Sequence, residues 1–99
     1  MNVYILALLD RPPSTDEWQL LPKSFAILAE TEGSARRTAA RYLKGFDDHI
    51  TRTWLDNKKT RCRKVITSCK REAGTLAVSY TNADLTTYIR KNIQTLLKR

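Results

Sequence analysis

Two uninterrupted apolar runs occupy the first third of the chain, residues 3–9 (VYILALL) and residues 25–29 (FAILA). Both are apolar at odd and even positions alike, as strands covered on two faces must be. The pair is therefore expected at the centre of a sheet, with helices over both faces or with a partner over one. Beyond Ala29 the period changes. Ala35, Ala39, Tyr42 and Leu43 recur at helical spacing, so a strand turns directly into an amphipathic helix over residues 24–44. Thr31 or Ser34 can cap it by accepting from the first-turn N–H groups. Arg37, Arg41 and Lys44 fall on the opposite, wholly basic face, and Gly45 suits a left-handed termination.

The remaining pattern is less even. Residues 10–22 (DRPPSTDEWQLLP) carry three prolines and little periodicity, and read as a long ordered connection with Trp18, Leu20 and Leu21 folded back as a lid on the core. Residues 45–57 read as a solvated loop in which Asp47, Asp48 and His49 form the only cluster of acid and imidazole groups. Neighbouring side chains point apart, and no second histidine or distant carboxylate pair completes a catalytic or metal site around them. Residues 75–80 (TLAVSY) alternate Leu76, Val78 and Tyr80 with small or polar positions, giving a half-buried strand hairpinned to the strand before it. Thr81 with Asp84 caps a last helix, Tyr80 and Leu85 staple it, and Leu85, Tyr88, Ile89, Ile93, Leu96 and Leu97 form its apolar face.

These elements predict one α+β domain spanning residues 1–99 in the order β-β-α-β-β-α, an antiparallel or mixed sheet packed against two helices. Strand order is left open by the pattern. So is a homodimer through one sheet face. At 99 residues a single core is feasible without staples.

Charge changes the picture. Residues 1–33 have a net charge of −3 and residues 34–99 a net of +11. The excess peaks at residues 58–71 (KKTRCRKVITSCKR), where Lys58, Lys59, Arg61, Arg63, Lys64, Lys70 and Arg71 occur with no acid among them. In a strand, Lys59, Arg61 and Arg63 project from one face and Cys62 and Ile66 from the other, making a basic ribbon. Charges of this kind also keep an edge strand from pairing with another chain, but the density here favours an anionic ligand.

The candidate binding set is accordingly Arg37, Arg41, Lys58, Lys59, Arg61, Arg63, Lys64, Lys70 and Arg71, with Arg61 and Arg63 central and the two helix arginines alongside if that helix shares the surface. The expected function is non-enzymatic docking on nucleic acid or a nucleoprotein, mainly through phosphates. The chain shows no RNP-type aromatic pattern, GXXG loop, zinc-finger spacing or recognition helix, so base-specific reading is not expected. The other reading is a small inhibitor or adaptor that binds an acidic or nucleic-acid-binding protein. In size and simplicity the chain is similar to phage and mobile-element accessory proteins, anti-CRISPR proteins included, although no residue motif carries that likeness.

No nucleophile–base pair or converging carboxylates can be assigned, so no enzyme activity and no cofactor is expected. Cys62 and Cys69 are too few for a disulfide framework, and one histidine leaves a four-ligand zinc site short, so reduced thiols are the simpler reading. Residues 3–9 lack the basic leader and cleavage site of a signal peptide and are too short to span a bilayer. The last helix lacks the dense basic face of a membrane-surface helix. A cytoplasmic location without membrane contact follows as the expectation.

Overall fold

The computed structural model describes residues 1–9, 20–67, 72–80 and 85–97, with side chains through residue 92 in the last segment. Its elements are β1 (Asn2–Leu8), β2 (Ser24–Ala29), α1 (Glu32–Tyr42), α2 (Asp48–Leu55), β3 (Thr60–Ile66), β4 (Gly74–Ser79) and α3 (Leu85–Leu97). The strands form one sheet in the order β3-β1-β2-β4, and every pairing is antiparallel. The α+β class and the central position of the two apolar strands are as the pattern predicts.

Their continuous hydrophobicity has its reason in two separate cores. Tyr4 and Leu6 with Phe25, Ile27 and Ala29 face α1 and α2, meeting Ala35, Ala39, Leu43, Ile50 and Trp54. Val3 and Ile5 with Ala26 and Leu28 face the other way and meet Leu85 and Ile89 of α3. A strand that feeds apolar groups into both layers cannot alternate.

Helix α1 begins at Thr31, whose Oγ1 accepts from the Ser34 N–H at 3.1 Å, so Thr31 rather than Ser34 is the cap. The helix ends at Tyr42, and Gly45 just beyond takes φ 102°, a backbone conformation that L side chains rarely adopt. Where a loop was expected, residues 48–55 form α2, with Asp47 at the cap position and Ile50 and Trp54, four apart, buried against α1 and the sheet. The Trp54 ring meets Phe25 edge-on with centroids 4.8 Å apart.

The expected hairpin between β3 and β4 does not form. The two strands lie at opposite edges of the sheet, β3 beside β1 and β4 beside β2. Each carries an irregularity in register. Val3 pairs with Ile66 but Tyr4 with Lys64, leaving Val65 as an extra residue; Ala26 pairs with Ala77 but Ile27 with Thr75, leaving Leu76 extra. Leu76 therefore packs on the α3 side while Val78 packs on the α1 side, and the simple alternation expected for β4 is broken.

Tyr80 does not staple the last helix. It is 52% exposed, whereas Leu85 is buried with Val3, Ile5, Ala26 and Leu28 beneath α3. Thr81 and Asp84 lie outside the described residues, as do Trp18 and the side chains of Ile93, Leu96 and Leu97. Of the proposed lid, Leu21 is buried beside Phe25 and Leu20 is exposed. Among the described residues, no helix is long and apolar enough to cross a membrane.

Candidate nucleic-acid interface

The basic ribbon is the edge strand β3 and the turn before it. Register with β1 fixes its faces, since paired residues of an antiparallel ladder share a side. Leu6 lies opposite Cys62, and Cys62 accordingly packs against the core under α1 and α2. Ala7 lies opposite Arg61 and Ile5 opposite Arg63, which places both arginines on the α3 side. Lys64, opposite Tyr4, belongs to the α1 and α2 side. The extra residue at Val65 then brings Ile66 onto the same face as the arginines, where it packs beside Val3, not onto the face of Cys62.

Arg37 and Arg41 are exposed on α1, whose buried side, Ala35 and Ala39, sits on the opposite face of the sheet from Arg61 and Arg63. The helix arginines and the central strand arginines are thus separated by the sheet. Arg37 also folds back along its helix to lie beside Gly33. What the structure does bring together is Lys58, Lys59, Arg61, Arg63 and Lys64, all exposed along one edge. Lys70 and Arg71 lie outside the described residues.

Successive same-face positions on a strand are about 6.6 Å apart, inside the roughly 8 Å over which salt screens charge at physiological strength. Arg61 and Arg63 therefore reinforce one another's field. Among the described residues, none of Arg37, Arg41, Lys58, Lys59, Arg61, Arg63 and Lys64 has an ion-pair partner. Two ion pairs between described residues are Arg36 with Glu32 at 3.3 Å and Arg52 with Asp48 at 3.8 Å, the latter between exposed groups. Among the described residues, the edge carries positive charge with no acidic partner.

One arginine that the sequence pattern passed over holds this edge in place. Arg36 is 7% exposed, and its guanidinium donates to the carbonyl oxygens of Trp54 (3.4 Å), Asp56 (3.5 Å) and Thr60 (3.3 Å) and to the Thr60 hydroxyl. The Thr60 hydroxyl in turn donates to the Asp56 carbonyl at 2.8 Å. One planar group thereby closes the end of α2 onto the start of β3. The signal was present: at about 100° per residue Arg36 lies beside the arc of Ala35, Ala39 and Leu43.

Other candidate chemistry is weaker. Burial pushes the Cys62 thiol up to about 11, with Glu32 adding to the effect and Arg36 opposing it, so the thiol is protonated at neutral pH. Asp48 is occupied by Arg52, and the described residues include no group of three or more His, Cys, Asp or Glu side chains placed to hold a metal ion. The hydrogen bond with Tyr80, followed by partial burial, holds the Tyr42 hydroxyl above its usual value. Comparison with protein-family models, with curated proteins and with solved structures gave no match for this chain.

Proposed function

We propose that this chain is a non-enzymatic basic protein that docks on nucleic acid or a nucleoprotein, with the β3 edge gripping phosphates. The supporting observation is the row Lys58, Lys59, Arg61, Arg63 and Lys64, exposed along an edge strand and, among the described residues, without acidic partners. An edge strand offers both its faces to a ligand running alongside. Arg61 and Arg63 approach such a ligand from one side of the sheet and Lys64 from the other. Contacts of this kind hold a phosphate backbone without reading bases.

Fluorescence anisotropy with labelled single- and double-stranded DNA and RNA at two salt concentrations tests the reading, comparing wild type with Arg61→Glu/Arg63→Glu. Affinity that falls steeply with salt and is lost in the variant, with unchanged circular dichroism, supports it. Failure of the wild type to bind any of these in low salt refutes it.

A second reading, an inhibitor or adaptor acting through protein contact, has its own observation. The other edge strand, β4 (GTLAVS), has no charged residue or proline, the devices that usually discourage strand addition. A chain that ignores nucleic acid and captures an acidic protein through an edge strand would favour that reading.

A further inference from the structure

The end of the sheet where β1 finishes also carries the start of β3 and the finish of β4. Backbone bonds tie this rim together. The Leu9 N–H donates to the Lys59 carbonyl at 3.0 Å, Leu8 to Lys23 at 3.3 Å, and Lys23 to Ser79 at 2.7 Å. Lys58 and Lys59 stand exposed at one end of the rim, and Tyr80 at the other.

Tyr42, the last residue of α1, meets Tyr80 there. Its ring lies edge-on to Phe25 with centroids 5.4 Å apart, and the pairing of Ser79 with Ser24, the neighbour of Phe25, brings Tyr80 to the same end of the sheet. Both remain about half exposed, 48% for Tyr42 and 52% for Tyr80. Sealing the edge of the core at Phe25 accounts for part of the Tyr42 ring. It does not account for Tyr80, which lies beyond the end of β4. The Lys23 ammonium donates to the Tyr80 carbonyl at 3.1 Å, so positive charge stands beside the aromatic pair as well as at the far end of the rim.

Held aromatic faces interleaved with cations are what an unpaired nucleic-acid strand uses, its bases stacking on the rings while its phosphates meet the cations. Resting on the nucleic-acid reading above, we infer that this rim is a site for single-stranded nucleic acid, with bases stacked on Tyr42 and Tyr80 and phosphates held by Lys58 and Lys59. Three strand spacings, about 14 Å, separate β3 from β4, a distance that a few nucleotides of extended strand cover. A duplex keeps its bases stacked on one another and cannot offer them to the tyrosines. The rim therefore favours single strands, and the β3 arginines serve either form.

The test compares a labelled oligonucleotide, alone and annealed to its complement, on wild type, Tyr42→Leu/Tyr80→Leu and Arg61→Glu/Arg63→Glu. The tyrosine variant is expected to lose about tenfold in affinity for the single strand, with little change for the duplex and an unchanged salt slope, because stacking releases no counterions. Tyr42→Phe/Tyr80→Phe, which keeps the rings, is expected to stay within about twofold of wild type. Equal losses on both ligands, or no loss on the single strand, overturn the inference while leaving the phosphate-binding reading intact. Absence of wild-type binding to either ligand overturns both. Should the leucine variant unfold, photo-crosslinking of the wild type to a strand containing iododeoxyuridine decides: crosslinks at Tyr42 or Tyr80 are expected, and crosslinks confined to other residues refute the site.

Discussion

Arg36 of α1 donates to both the hydroxyl and the carbonyl oxygen of Thr60, the first residue of β3. The contact couples the helical layer to the strand that carries the basic row. Replacing Arg36 by Ala leaves the Thr60 and Trp54 carbonyls without that donor, and is expected to cost about 2–4 kcal/mol in urea denaturation. Arg36→Lys restores little, since an ammonium cannot reproduce the planar fork. A cost below about 0.5 kcal/mol would show the clamp to be dispensable.

Because the sheet separates Arg37 from Arg61 and Arg63, substitutions at these sites are expected to differ. Arg63→Ala should lower the slope of log affinity against log salt by about one, the signature of a lost phosphate contact. Arg37→Glu should change affinity by less than about twofold. Comparable effects from the two substitutions would mean that the ligand wraps around to α1.

Trp54 is fully buried, and among the described buried side chains its Nε1 is the polar atom without a hydrogen-bond partner. Trp54→Phe keeps an aromatic ring against Phe25 and removes that orphan donor, whereas Trp54→Ala opens a cavity. Chemical denaturation followed by circular dichroism should give a loss of about 3–5 kcal/mol for Ala and less than half of that for Phe.

The raised thiol of Cys62 sets a direction for alkaline pH. Between the ordinary value of 9.0 and about 11, the unfolded chain loses its proton while the folded chain keeps it, so this group's contribution to stability falls as pH rises through that window and is constant below it. In a Cys69→Ser background, the rate of Cys62 alkylation by iodoacetamide in the folded protein should inflect near 11. An inflection at or below 9 would contradict the buried setting.

The centre of the fold was legible in the sequence because β1 and β2 are apolar on both faces and α1 shows a clear helical stripe with its cap. Helix α2 was not, although Ile50 and Trp54 stand at helical spacing: its eight residues give barely two turns of periodicity, and its polar groups resemble a loop. The pairing of β3 and β4 was misread because closeness in sequence suggests a hairpin, while partner choice depends on contacts made elsewhere in the chain. The faces of Arg61 and Cys62 followed from alternation alone. That of Ile66 did not, because one extra residue at Val65 reverses every position after it. The division of the basic residues between two surfaces was likewise a matter of which sheet face α1 covers.

The strand order also governs how the molecule can be assembled. Only β1 and β2 are neighbours in both sequence and space among paired strands; β3 must reach back to β1, and β4 must reach back past it to β2. During synthesis the first half can form only a two-stranded core whose outer edges stay open until residues 60–66 and 74–79 emerge. The first half lacks both flanks of the sheet, and the second supplies two flanks and no centre. A chain cut between β3 and β4 would leave the apolar edge of β2 uncovered, and is expected to aggregate rather than persist as a smaller folded unit. Two separately expressed pieces divided before Thr60 should instead find each other, each supplying the strands the other lacks.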